Sequence, residues 1–394
     1  MNSKSKTKIN YMITSAYLSE NHEKLRFKVR SFAEKEIKPL AKELDDKEEF
    51  SIHLTRRMGQ EGLFGINLPK KYGGHGLDTL SYIIAVEELA RVDSSQAATI
   101  AAHNSLGIYP IYRFGTEEQK HKYLPQLVTG EKLWAFGLTE KNAGSDARGT
   151  ETRAERVDHQ WLINGEKQYI TNGSVPICAG ITLQVITAEK DGVKELSTIL
   201  IERETPGYSS EKMGDKFMWR AADTARLYFK DVRVPAANLL GELGHGPNYM
   251  FETLDGGRLS IAAIGLGLAQ GAFEMAVEYS KKRMQFGKSI SKNQGIAFKI
   301  SDMHMKIEHA REYLYKVCWM KDKGLPFSRE AAMAKLYCSE IAREVADESM
   351  QVHGGYGLYK YNDIERFYRD QRLLQIGEGT SEILRLVIAR NLGL

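Results

Sequence analysis

Apolar residues recur at helical spacing through the first third of the chain. Leu25, Val29, Phe32, Ala33, Ile37 and Leu40 fall on one helical face, which Pro39 interrupts. Segments 81–90 and 94–103 are rich in alanine and larger apolar residues, which predicts buried helices. Gly115-Thr116-Glu117-Glu118 puts a capping threonine before an acidic first turn and predicts a helix start. Near Trp134 the pattern changes. From there to about Pro235 threonine, valine, isoleucine and tyrosine rise, and 181–187, 196–201 and 225–234 read as strands. Asn164-Gly165 carries the signal of a hairpin turn between two strand-like runs. Long helical periodicity then resumes over 258–283, 295–321 and 329–353. The plan is a helical domain (1–133), a β domain (134–245) and a helical bundle (246–394), an α+β class that is mostly α.

Composition narrows the function. The 394 residues carry 55 basic and 51 acidic side chains, a net charge of +4, which argues against a nucleic-acid binder and leaves room for local basic patches that hold a phosphorylated ligand. Cys178, Cys318 and Cys338 are far apart, so neither a metal site nor a disulfide framework is expected. The start, Met1 to Lys8, is polar and basic with no apolar segment behind it, unlike a secretory signal. No run approaches a membrane span, and a cytoplasmic protein is the expectation.

Candidate chemistry gathers in six stretches. The most unusual is Gln375-Ile376-Gly377-Glu378-Gly379-Thr380-Ser381, where one carboxylate stands between two glycines before a helix. Glycines let a backbone approach a ligand closely, and a carboxylate in apolar surroundings has a raised pKa suited to a general base. The helix start at Thr380 or Ser381 favours the charged form instead. Burial is expected to dominate, because desolvation shifts a group by several units and the dipole contributes about 1 kcal/mol. Segment 136–146 is a loop whose amides and hydroxyls suit a polar ring or phosphate, although an ordinary turn with a cap at Ser145 or Asp146 is the commoner explanation on composition. Tyr169-Ile170-Thr171-Asn172-Gly173 ends a strand with an aromatic that can stack on a planar cofactor or simply join the core. Arg283-Met284-Gln285-Phe286-Gly287-Lys288 suits a pyrophosphate or a charged helix end. Asp255-Gly256-Gly257-Arg258 reads as a helix start weakened by its double glycine, which hints at a close ligand. Gln351-Val352-His353-Gly354-Gly355-Tyr356-Gly357 ends a helix with a glycine cap. Gly265 and Gly267 fall short of a dinucleotide fingerprint, since Gln270 takes the third glycine's place, and close helix packing explains them better.

In this order and spacing the six stretches resemble the acyl-CoA dehydrogenase family, from about residue 17 to the end of the chain. The resemblance implies an N-terminal α-helical domain, a middle β-barrel domain, a C-terminal four-helix bundle and non-covalent FAD. It implies that Phe136, Leu138, Thr139, Gly144 and Ser145 line the flavin ring, with Tyr169, Ile170 and Thr171 against its other side. Tyrosine stands at 169 where the family often has tryptophan. Arg283, Gln285, Phe286 and Gln294 are implied to reach the adenine-diphosphate half of FAD in a neighbouring subunit. Gln351, Val352, Gly354, Gly355, Thr380 and Glu382 complete that cradle, so a homo-oligomer, usually a tetramer, follows. Ser145, Asp255, Arg258 and Gly379 match positions that touch acyl-CoA, and Arg390 matches one near its nucleotide end.

The implied reaction is α,β-dehydrogenation to a trans-2-enoyl-CoA. Glu378 is the implied base, and its amide with a flavin ribityl hydroxyl is the implied oxyanion hole. Electrons pass on to an electron-transferring flavoprotein. In some subfamilies the base moves to a glutamate just before the arginine of the Asp255 motif; that place is Gly257 here. Chain-length choice in the family depends on the helix carrying Ala101, Ala102, His103 and Asn104. Ala102 is small, and Gly377 replaces a frequent tyrosine, which suggests room for short to medium, branched or cyclic acyl groups. An acyl-CoA oxidase or flavin monooxygenase on the same fold, and a non-catalytic helical assembly protein, are the competing readings.

Overall fold

The computed structural model describes residues 14–394. The basic start, Met1 to Lys8, lies outside the described residues. Helix α1 (Glu20–Phe32) runs through a π-helical turn at Ala33–Ile37 into α2 (Lys38–Lys47), with Pro39 in the first turn of α2, where a missing N–H costs least. Val29, Phe32, Ala33 and Ile37 of the predicted apolar face are buried, and Leu25 and Leu40 pack at its edge. Then come α3 (Ile52–Gln60), α4 (Thr79–Ala90), α5 (Ser94–Ala102), α6 (Tyr109–Phe114) and α7 (Glu117–Leu127). Thr116 caps α7 in a reciprocal box with Gln119.

The β region is one curled seven-stranded sheet of order β1-β4-β2-β3-β7-β6, with β5 paired to β4. Its strands are β1 (Leu133–Gly137), β2 (Arg153–Val157), β3 (Gln160–Thr171), β4 (Cys178–Lys190), β5 (Val193–Glu202), β6 (Tyr208–Lys212) and β7 (Thr224–Pro235). The Asn164-Gly165 pair is not the hairpin turn. The chain turns between Val157 and Gln160, and β3 runs straight through Asn164 and Gly165. Gly165 marks a bulge against β7 instead. It has φ +149, and a Cβ there would lie 2.5 Å from the Thr152 hydroxyl.

The last third is α8 (Gly246–Lys282), a small hairpin of β8 (Met284–Gln285) and β9 (Lys288–Ser289), α9 (Gln294–Asp322), α10 (Ser328–His353), α11 (Ile364–Asp370) and α12 (Ser381–Asn391). Helices α8, α9 and α10 pack along one another, and α4 lies against α8. By length and composition α8 would suffice to cross a membrane, contrary to the expectation that no run comes close. Of its most apolar stretch, 89% is buried inside the fold, so that apolarity packs the core. Gly265, Gly267 and Gly271 are where neighbours come in: a Cβ at Gly267 would lie 2.1 Å from the Glu87 carbonyl oxygen on α4. The helix start expected at Asp255 is not there, since α8 begins at Gly246 and carries Asp255 to Arg258 in its interior.

Where α1, α4 and α9 meet, charge is buried. Glu87 accepts from Arg311 Nε at 3.1 Å and from the Tyr315 hydroxyl at 2.5 Å, and Arg26 Nη1 lies 3.5 Å from it. Both guanidinium groups and the carboxylate are almost wholly enclosed.

Candidate functional site

Glu378 follows a 3-10 turn (Gln371–Gln375) and precedes α12, whose first turn Thr380 caps by accepting from the Ile383 amide at 3.2 Å. Its φ is +51, a left-handed conformation that strains a side-chain-bearing residue by about 1–3 kcal/mol and survives only where surroundings enforce it. Gly379 follows at φ +98. Gly377 is not strained, and a Cβ there would meet Leu373 at an ordinary 3.6 Å. The backbone therefore needs glycine at 379 and not at 377, where the missing side chain only leaves space.

The carboxylate points back to α8. A Cβ on Gly257 would lie 2.2 Å from Glu378 Oε2, so the second glycine of the Asp255 motif is the room this side chain occupies. The residue as a whole is half-buried, yet Oε2 is shut from solvent and has no hydrogen-bond partner. Burial pushes the carboxyl up from 4.5 to about 7, while Lys335 and Arg258 pull it back down. Burial thus outweighs the two cations that oppose it. Arg258 is itself buried and pairs with Asp255 at 2.6 Å. Tyr82 of α4 is enclosed beside Glu378, Ser105 and Ser260, and its hydroxyl donates to the Ala101 carbonyl at 3.0 Å.

On the helix that carries Ala102, two polar residues are tied to loops. The Trp134 amide donates to His103 Nδ1 at 3.1 Å, and His103 Nε2 donates to the Leu127 carbonyl at 2.8 Å. The Gly65 amide donates to Asn104 Oδ1 at 2.6 Å, and Asn104 Nδ2 donates to the Leu63 carbonyl at 3.0 Å. Burial holds the His103 ring neutral, with its pKa down to about 4. These polar groups brace loops around a π-helical turn (His103–Ile108) and are spent there. Ala102 remains half-buried.

The second cluster joins the 136–146 loop to the end of β3. The Gln168 amide donates to the Thr139 carbonyl at 2.9 Å, which sets Leu138 and Thr139 alongside Tyr169. Buried Lys167 reinforces the seam, donating to the Leu138 carbonyl at 3.1 Å and to Glu140 at 2.6 Å. Tyr169 is 61% exposed at φ +59, an aromatic turned out of the core by a left-handed backbone. Its neighbour Ile170 is buried, so only its main chain is left for a ligand; the same holds for Val352. Ser145 and Gly144 are exposed, and a Cβ on Gly144 would meet nothing within 4 Å. No helix follows Ser145 or Asp146, so neither is a cap. An outward aromatic, an open glycine and half-buried Phe136, Leu138 and Thr139 fit a flavin ring.

The third cluster is at the far end of α8. Arg283 lies over the Tyr356 ring at 5.4 Å, and Tyr279 stacks on His353 at 4.5 Å, which brings the 283–288 and 351–357 stretches together. Gln285, Gln294, Gln351, Gly354 and Gly355 are exposed, and Phe286, at the hairpin tip, is 93% exposed. Glu382 and Arg390 are exposed on α12. Among the described residues no group of acidic, histidine and cysteine side chains is placed to hold a metal. The sequence reading missed Lys335, whose Nζ donates to the Gly379 carbonyl at 2.8 Å, because a lysine in a periodic helix carries no distinguishing signal.

Comparison with known proteins identifies the family. Residues 19–131, 135–232 and 244–393 match the N-terminal, middle and C-terminal domain models of acyl-CoA dehydrogenase. A short-chain-specific acyl-CoA dehydrogenase of Clostridium acetobutylicum is 44% identical over 94% of this chain and 98% of that protein. An acyl-CoA dehydrogenase of Bacillus subtilis is 41% identical over 95% of this chain and 99% of that protein. The structure of butyryl-CoA dehydrogenase from Megasphaera elsdenii superposes with a TM-score of 0.93 at 41% identity, covering 96% of this chain and 99% of that one. The chain belongs to the acyl-CoA dehydrogenase family, FAD-dependent enzymes that oxidise the CH–CH bond of acyl-CoA thioesters.

Proposed function

We propose that this enzyme dehydrogenates short acyl-CoA thioesters, with Glu378 as the base that removes the α-proton. One observation carries the assignment: Glu378 Oε2 is buried, unpartnered and held by strained backbone beside a glycine that makes room for it. A carboxyl poised near pH 7 has the proton affinity a general base needs. FAD, when bound, supplies the acceptor for the β-hydrogen. Leu138, Thr139 and Tyr169 would hold its ring. The Glu378 main-chain amide donates to the thioester carbonyl as negative charge develops there, and Arg258 adds a buried positive charge nearby. Substrate entry expels water from the carboxylate and sharpens each of these effects.

The short-chain preference is supported by the names of the similar enzymes and by Tyr82, whose enclosed ring stands beside the base. Exposed Gln285, Phe286 and Gln294 support the reading that a second copy of the chain completes the far half of each FAD site. Electron-transferring flavoprotein is the proposed acceptor. Anaerobic titration of the purified protein with acyl-CoAs of graded length, followed by flavin bleaching, tests the whole reading. Butyryl-CoA is expected to bleach fastest; bleaching by long straight chains alone would sink the preference. Sustained peroxide formation in air would favour an oxidase instead.

A further inference from the structure

We propose that Lys335 is a positioning residue for the base: its ammonium group pins the strained turn at Glu378–Gly379 and keeps the Glu378 carboxylate ionisable inside the protein. The inference rests on Glu378 acting as the base.

Helix α10 grips the 375–381 loop at three points. Gln375 Nε2 donates to the Ser339 carbonyl at 2.8 Å, Lys335 Nζ donates to the Gly379 carbonyl at 2.8 Å, and the Ser381 hydroxyl donates to Glu340 at 2.9 Å. The middle bond falls on the residue after Glu378, where two successive left-handed residues most need support. It is the one grip of the three in which a cation donates, and charge-assisted hydrogen bonds are roughly twice as strong as neutral ones. Lys335 is fully buried, its ammonium donates to a main-chain carbonyl, and no ion pair joins it to a carboxylate among the described residues. A buried ammonium without a salt bridge is costly, which calls for a reason beyond packing.

Electrostatics supply the reason. Glu378 faces Lys335 from α10, Arg258 from α8 and the Tyr82 hydroxyl from α4; Lys335 in turn faces Glu378, Arg258 and Glu340. Burial pushes the Lys335 amine down to about 8, and Glu378 and Glu340 hold it up against that pull, so it stays mainly charged at neutral pH. Arg258 is already committed to Asp255. Lys335 is the larger of the two cations that oppose burial at Glu378, and its removal leaves only Arg258 against it.

The test uses the FAD-loaded enzyme and three substitutions. Lys335→Gln keeps a donor for the Gly379 carbonyl and removes the charge; Lys335→Met removes both; Lys335→Arg keeps both and serves as the folding control. The rate of flavin reduction by butyryl-CoA is measured against pH. In parallel, the Glu378 carboxyl is titrated by isotope-edited infrared difference spectroscopy, with Glu378→Gln identifying its band. In Lys335→Gln the midpoint is expected to rise by about one pH unit in both measurements, so that reduction at pH 6 slows about tenfold and recovers at high pH. Lys335→Met adds a loss that persists at high pH, because the turn is no longer held. Lys335→Arg restores the midpoint. An unmoved infrared midpoint in Lys335→Gln overturns the proposal, whether or not Lys335→Met folds. If Glu378 is not the base, Glu378→Gln reduces flavin normally while the infrared midpoint still reports on Lys335, so the two failures are told apart.

Discussion

Glu87 and Glu378 are both glutamates sunk among helices, and the protein treats them in opposite ways. Glu87 meets two guanidinium groups and a phenol. Burial alone would raise its pKa, but Arg26 and Arg311 overcome that and hold it ionised below the usual range. Glu378 has an orphaned oxygen and cations that stop short of ion pairing, so burial wins and its carboxyl sits at about 7. Burial thus does not make a carboxylate reactive; burial without a partner does. The strained backbone points the same way, because a residue kept at φ +51 is held for what its side chain does.

Substitutions break this comparison most sharply. Glu378→Gln is expected to slow flavin reduction by about 10²–10⁴-fold, the usual worth of a positioned base, while leaving the thermal midpoint unchanged or higher; stopped-flow reduction and calorimetry read the two. Glu87→Gln is expected to do the reverse. It strands Arg26 and Arg311 and destabilises the fold by about 3–5 kcal/mol in denaturant titrations, with little change in the reduction rate of the folded protein. Gly257→Ala tests whether the glycine is there for the carboxylate. Its Cβ would lie 2.2 Å from Oε2, and displacing the base by an ångström is expected to cost about 10²-fold in reduction rate.

The smallest effect sharpens the comparison through pH. Glu378 prefers its proton in the folded state, so stability falls as pH rises from its ordinary 4.5 to about 7, then levels. Glu87 is the mirror case: its contribution is full above 4.5 and is lost as pH falls through its lowered folded value. Stability curves of Glu378→Gln against pH should lack the decline between 4.5 and 7 and keep the acid limb.

Local chemistry was legible wherever it acts within a few residues. The Thr116 cap, the glycine at the end of α10, the apolar face of α1 and the long bundle helices all depend on spacing along one segment. The Asn164-Gly165 pair was misread because the same residues suit a turn and a bulge, and only the approach of Thr152 selects the bulge. The helix start at Asp255 was misread for a related reason. Glycines weaken a helix in isolation, while in the fold α8 is sustained by the helices packed against it and keeps Gly257 bare for a side chain that comes 121 residues later. His103 and Asn104 give no local sign of the loops they brace, because Leu127, Trp134, Leu63 and Gly65 lie in other segments.

By itself the sequence determined the order of helices, sheet and bundle, the family resemblance, and Glu378 as the carboxylate to watch, because periodicity, capping and motif order are one-dimensional. The tertiary structure alone decided that Glu378 Oε2 has no partner, that Gly257 is its space, and that Lys335 holds the turn beside it. Proton affinity depends on what surrounds a group in three dimensions, and those surroundings come from α4, α8 and α10, which chain order keeps far from residue 378.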